Sequence, residues 1–387
     1  MTLLSRDWLA KHIVWFPVLV VCGYQVGRGV GNTLLGLFAL VGLLVFLPRV
    51  SVVIHRCRLL SFLYLAFIAV FLGSTLLSPT GDQNFKYLIA YVLASSVLLQ
   101  LQVYRLTINA RTLQNAGWIG LSAGGVFVVQ FIATAIEKGD GFSPAHDVNG
   151  MVAAVLLPWL LLSSFKYKWW VLSGIFGLLL VSDSRTEVLS VLAAVAVYFA
   201  VRERRIGLLL ISLPLALLFA ISVDAIISGR ALEGGSTYEL LNRLSSQRLA
   251  IWNQVVEHSP DISWLGSGVY SSVGAEFIPK VRHFHNAFLE LWFEVGPIGG
   301  VIFLLMLGHL GVLAGNRYRM VSGENLHVLA TLGAVFVSVV VVLFLDKAMH
   351  SVFGRFYLFY VMGLFYLWST QLSGGCSESF GKVSERG

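Results

Sequence analysis

The chain has 387 residues, of which 57% are hydrophobic and only 12% charged, with a mean hydropathy of +0.80. A soluble domain carries about 25% charged residues, so too little polar surface is left here to coat a water-facing globule. This excludes a cytosolic enzyme, an ordinary nucleic-acid binder and a disordered protein, and leaves an all-α, polytopic integral membrane protein. The net charge of +7 is accordingly read as loop charge that orients membrane spans, with no nucleic acid as partner.

A span needs about 20 mostly apolar residues. In chain order, twelve segments qualify: 12–27, 30–47, 59–77, 85–103, 115–136, 148–165, 168–182, 186–201, 206–228, 286–314, 326–345 and 353–371. The start, Met1 to Lys11 and then an apolar run, imitates a signal peptide. No small-residue cleavage pattern follows, so an uncleaved first span is expected. The organisation is then 1–228 for spans 1–9, a polar loop 229–285, spans 10–12 in 286–371, and a polar tail 372–387. Cys22, Cys57 and Cys376 are scattered, which offers neither a zinc motif nor a disulfide framework.

Lys and Arg set the orientation. With both termini cytoplasmic, 16 of the 27 basic residues fall on the cytoplasmic side, among them Lys166, Lys168, Arg202, Arg204, Arg205, Arg317 and Arg319. Of the remaining 11, five lie in the long 229–285 loop, so the short outer loops share only six. This positive-inside pattern puts the long loop on the outer side, which in a bacterium is the periplasm or the exterior. Two short outer loops are also polar, 137–147 and 346–355, the latter carrying Asp346, Lys347, His350 and Arg355.

Asp224 is the only clear acid inside a span. Ion-coupled transporters keep ionisable groups at mid-depth, so a transporter reading is weakened. The charge that needs a role sits at the outer face, in three places. Ser182-Asp183-Ser184-Arg185-Thr186-Glu187 has capping-box spacing from Ser184 to Glu187, which starts a helix with Arg185 at its first position. A helix start plus a guanidinium makes an anion site; equally, Arg185 could be an interfacial arginine paired with Asp183 or Glu187. On a helical wheel from Tyr238 to His258, Leu241, Leu244, Ile251, Trp252, Val255 and Val256 share one face. Arg248 falls in the middle of that face, while Arg243, Gln247 and Gln254 lie opposite. A charge there calls for an anion, unless it snorkels to the helix edge.

The third place is Arg282-His283-Phe284-His285-Asn286, ahead of an apolar helix for which Asn286 is a good N-cap. From Asn286 to Ala314 a helix would run about 43 Å, longer than a hydrocarbon core of about 30 Å. Gly296-Pro297 and Gly299-Gly300 supply a kink. Glu290 and Glu294 then need not lie in lipid, and His285 tops the helix, either as a base that works near neutral pH or as a histidine bonded to backbone at a helix start. Gly266-Ser267-Gly268 is most simply a loop turn. No Asp-x-Asp or Glu-x-Asp occurs in an outer loop. A metal-assisted transfer from a pyrophosphate would want such acids, so arginines are the candidates for handling phosphate, with no metal and no cofactor expected.

At these residues the chain resembles the O-antigen ligase and O-antigen polymerase superfamily of bacterial membrane glycosyltransferases, over about residues 142–300. Four pieces carry the resemblance, in order. They are Asp147-Val148-Asn149-Gly150 opening a span; Ser184-Arg185 before a span; Arg248-Leu249-Ala250-Ile251-Trp252 with Pro260, Gly266 and Gly268; and His285-Asn286-Ala287-Phe288-Leu289 with Glu294, Gly296 and Gly299. The chain departs from the pattern in having Thr186-Glu187 after Arg185, where Gly-Ala is common, and Pro297 directly after Gly296.

The resemblance implies a glycan on undecaprenyl diphosphate as donor. A ligase moves it to a sugar hydroxyl of lipid A-core; a polymerase moves it to another lipid-linked repeat. It also implies that Arg185 and Arg248 bind the diphosphate and that His285 is the base, with Arg243, Arg282, His283, Asn286 and Glu290 in support. The compact size and single main outer loop favour the ligase. A lipid-glycan flippase, a third possibility, fits poorly with arginines gathered outside a charge-poor membrane core.

Overall fold

The computed structural model describes residues 28–78, 81–103, 117–138, 154–163, 165–181, 185–205, 239, 248–258, 263–268, 284–345 and 352–371. Among these residues all regular structure is helical, with no strand. The helices are α1 Arg28–Phe46, α2 Val50–Arg56, α3 Arg58–Leu77, α4 Gly81–Val103, α5 Gly117–Lys138, α6 Lys168–Val181, α7 Arg185–Arg202, α8 Arg248–Glu257, α9 Ala287–Met320, α10 Gly323–Leu345 and α11 Val352–Gln371. A tight 3-10 stretch, Leu157–Leu162, carries Pro158 in its first turn. The expected spans 12–27 and 206–228, and most of the 229–285 loop, lie outside the described residues.

By length and composition, four helical stretches could each cross a membrane: Thr33–His55, Arg58–Leu77, Ala287–Met320 and Gly323–Leu345. Twelve spans are thus an expectation that the described residues do not reach. α6, among others, is apolar but shorter.

Two large cores, and a small cluster under α8, hold the described helices together. In the larger, α3, α4, α9 and α11 meet around Phe67, whose ring approaches Phe71, Tyr91, Phe303 and Phe359. Tyr91 stacks on Phe71 with centroids 4.1 Å apart. Such rings bury large area with defined geometry. The second core joins α5, α6, α7 and the 3-10 stretch to Ala330 and Ala334 of α10.

α7 and α10 run antiparallel along one another. Their pairing is read off three contacts: Arg248 bridging Thr186 and the Leu345 carbonyl at one end, the Ser190 hydroxyl with Ser338 at 2.7 Å, and Tyr198 with His327 at 3.0 Å. From Thr186 to Arg202 the rise is about 24 Å at 1.5 Å per residue. The pair therefore has two well-separated ends.

α9 breaks where the sequence predicts it. Gly296 has φ 65° and ψ −176°, and Pro297 follows. Proline has no N–H to give to the Phe293 carbonyl four residues back. The loop 263–268 takes over: Ser267 N donates to Phe293 O at 2.9 Å and Gly268 N to Glu294 O at 3.0 Å, while Ile298 N donates to Trp264 O at 3.3 Å. The Ser74 hydroxyl adds a bond to Glu294 O at 2.5 Å. The freed backbone groups are thus satisfied inside the protein, as burial demands. A Cβ on Gly296 would collide with the Trp264 carbonyl and the Gly266 amide, and one on Gly266 with the Glu294 carbonyl. Gly266-Ser267-Gly268 is therefore more than a turn; it is a strap across the kink.

Candidate functional site

Asn286 caps α9 as its sequence position predicts. Its side-chain oxygen accepts from Phe288 N at 3.0 Å and Leu289 N at 3.1 Å, two of the amides that a helix start leaves open. His285, directly before it, sits at φ 51°. Histidine enters this left-handed region more readily than most residues, yet a fixed residue there still costs about 1–3 kcal/mol. Anchors on both sides hold it. Asn286 is the cap, and Phe284 is buried against Val255 and Phe293, its ring edge-on to Phe293 at 5.4 Å. The Trp252 indole N–H donates to the Phe284 carbonyl at 3.0 Å. The imidazole of His285 is left half-buried at the head of α9.

Trp252 belongs to α8, which begins at Arg248. Val255 is buried and Ile251 and Trp252 are half-buried, whereas Asn253 and Gln254 are exposed. The apolar face is narrower than the wheel predicts: Val256 is 58% exposed, because only the i, i+3, i+4, i+7 row meets the protein. Arg248 lies on that row. It does not snorkel to the edge. Its Nη1 donates to the Thr186 hydroxyl at 3.3 Å and to the Leu345 carbonyl, the last residue of α10.

Thr186 is the second residue of α7 and Arg185 the first, as the sequence predicts. The Arg248 guanidinium is thereby held at the helix start that Arg185 opens, where the α7 dipole favours negative charge. One turn of α8, about 6 Å of rise, separates Arg248 from Trp252 and so from the backbone next to His285. A short helix thus links the arginines' end of α7 to the histidine's end of α9.

Two further carboxylates are buried below this turn. Glu290, in the first turn of α9, is 1% exposed. Glu294, one turn on, pairs with Arg355 at 3.1 Å, with side-chain exposures of 1% and 8%. The Arg355 guanidinium also lies 4.5 Å from the centroid of the Tyr91 ring, a cation–π arrangement. Arg355, where the expected loop 346–355 and the expected span 353–371 overlap, belongs to α11. Glu294, expected to stand out of the lipid, is buried in the helix packing. Glu294 and Arg355 are 61 residues apart, so neither side chain announces its partner in sequence.

The structure therefore brings together Arg248, the first turn of α7 with Arg185, and His285 with its cap Asn286. Arg243, Arg282 and His283, and the Asp147–Gly150 and Ser182–Ser184 segments, lie outside the described residues. Sequence reasoning missed Thr186 and the Leu345 carbonyl as the seats of Arg248. Thr186 had one signal, its departure from the family's Gly-Ala.

Residues 170–304 match the family model described as O-antigen ligase. This segment runs from α6 through the kink of α9 and contains Arg185, Arg248 and His285. The match supports membership of the O-antigen ligase and polymerase superfamily, as the motifs imply. Beside the match, four helices among the described residues are long and apolar enough to cross a membrane. No curated protein matches the chain significantly.

Proposed function

We propose that the protein is an O-antigen ligase that transfers a glycan from undecaprenyl diphosphate to a sugar hydroxyl of lipid A-core. The reaction takes place at the periplasmic face of the bacterial inner membrane, with both termini in the cytoplasm. The observation that supports it best is the seat of Arg248 at the start of α7, linked through one turn of α8 to the backbone beside His285.

In this reading Arg185 and Arg248 bind the donor diphosphate. Guanidinium pairs phosphate oxygens bidentately and stays charged, and the start of α7 adds its partial positive charge. His285 accepts the proton of the acceptor hydroxyl. That oxygen attacks the anomeric carbon as the bond from this carbon to the diphosphate oxygen breaks, and undecaprenyl diphosphate leaves with the electron pair. The arginines stabilise the charge that grows on the leaving group. Attack opposite the leaving group inverts the anomeric centre. The arginines do the work of a divalent ion, so no metal is required.

Lipopolysaccharide gels from a deletion strain test the assignment. A ligase strain has core without any O-antigen cap, restored by the wild-type chain. Caps of a single repeat would instead identify a polymerase, and lipid-linked glycan held on the cytoplasmic side would identify a flippase. Turnover of purified protein in a chelator tests the metal claim; a strict need for magnesium or manganese would overturn it.

A further inference from the structure

At the other end of the α7–α10 pair, about 24 Å from Arg248 by helix rise, lies an open cleft of about 560 Å³ lined by Lys168, Arg202, Glu203, Glu324 and His327, with Gly323 and Leu326. We propose that this cleft is a phospholipid headgroup site, built for a zwitterionic phosphate–ammonium head such as phosphoethanolamine.

The cations are pre-positioned. Lys168 Nζ donates to the Leu161 and Ser163 carbonyls at 3.0 and 2.9 Å, at the end of the 3-10 stretch. An ammonium has three protons, so the third is left for the cleft. Arg202 donates to the Tyr198 hydroxyl at 2.7 Å. The Tyr198 hydroxyl, having accepted from Arg202, is free to donate its own proton to His327 Nδ1 at 3.0 Å. With the proton so placed, His327 has its N–H on Nε2, a further donor; the Arg202 Nε lies 3.9 Å from the Glu203 carboxylate, and its remaining Nη protons face the cleft's ligand. Phosphate is the ligand that such a set of donors recognises.

The acids choose the head. Glu324 and Glu203 are exposed on the rim, so the formal charge of the lining is +2 from Lys168 and Arg202 and −2 from the two glutamates. A purely anionic head meets no net attraction there; one bearing phosphate and ammonium meets both partners. The chain around Lys168 also has the aromatic character of a membrane interface. Tyr167 and Trp170, on either side of Lys168 in sequence, are 53% and 78% exposed, and Trp169 stacks on Phe199 at 5.6 Å. Such rings sit at headgroup level, which favours a lipid over a free phosphate.

Native mass spectrometry of the full chain in detergent tests this, titrated separately with phosphatidylethanolamine, phosphatidylglycerol and soluble phosphoethanolamine. The expected result is a saturable phosphatidylethanolamine adduct, stronger than that of phosphatidylglycerol, with no adduct of the soluble head. Lys168→Ala with Arg202→Gln should weaken it about tenfold, since charge-assisted bonds are lost. Glu324→Gln, an exposed change that leaves the fold intact, should erase the preference over phosphatidylglycerol. Equal adducts in wild type and the double variant, a preference for phosphatidylglycerol in wild type, or capture of soluble phosphoethanolamine as well as of lipid would each overturn the proposal. None of these readouts involves glycan transfer.

Discussion

The two ends of the α7–α10 pair are built on different physics. At the Leu345 end, charge is held by long-range contacts: Arg248 reaches Thr186 and Leu345, 62 and 97 residues away, and Glu294 reaches Arg355 across 61. Backbone carbonyls there are satisfied by the 263–268 strap, and His285 is kept in a left-handed conformation. At the His327 end, Arg202, Tyr198 and Lys168 bond within a few residues of their own positions, save for the Tyr198–His327 contact, and the cleft stands open. An end that must hold a reacting geometry invests in preorganised polar contacts; an end that only meets headgroups can leave its charges near solvent.

Breaking the buried ion pair should do the most damage to folding. Glu294→Gln leaves the Arg355 charge without its carboxylate partner, a loss of about 3–5 kcal/mol. The check is the melting temperature in detergent, which should fall further than for any exposed substitution; an unchanged melt would show that the pair is dispensable. Gly296→Ala should come next, at about 1–3 kcal/mol for the left-handed backbone alone, with the strap displaced. Protease sensitivity at 263–268 should rise with it, and a strap as resistant as wild type would refute its role at the kink.

Smaller effects sharpen the contrast. Thr186→Val removes one of the hydrogen bonds that seat Arg248, about 0.5–1.5 kcal/mol, and should raise the donor KM a few-fold while kcat stays near wild type. A fall in kcat at unchanged KM would place Thr186 elsewhere in the reaction. Lys168→Ala, far from the transfer site, should change transfer in detergent by less than about twofold, as distant sites act independently; a tenfold drop would mean that the two ends are coupled.

Much of the helical scaffold is legible in sequence because hydropathy and helix length coincide in a bilayer. The expected 59–77 is Arg58–Leu77, and 326–345 is Gly323–Leu345. Where the two part company, the reading fails. α9 continues from Ala314 to Met320 through Asn316, Arg317 and Arg319, since helical bonds do not require apolar side chains once the chain leaves the hydrocarbon. α4 likewise begins at Gly81, not at 85, through polar Asp82, Gln83 and Asn84. The cap Asn286, the kink at Gly296 and the row through Arg248 follow from local chemistry and spacing. The seats of the charges do not. The Leu345 carbonyl has no side-chain signal, and nothing in the sequence around Arg355 points to Glu294 or Tyr91, against which α11 places it.

The division of labour between Arg248 and His285 is the central claim, and binding of donor measured alongside single-turnover transfer tests it most directly. With purified variants at equal folded concentration, Arg248→Ala should lose donor binding and transfer together, and by far more than Arg243→Ala. His285→Ala should bind donor as wild type does and transfer about 10²–10⁴-fold more slowly. If His285→Ala loses donor binding along with transfer, or transfers at the wild-type rate, His285 is not the base and the account fails at its centre.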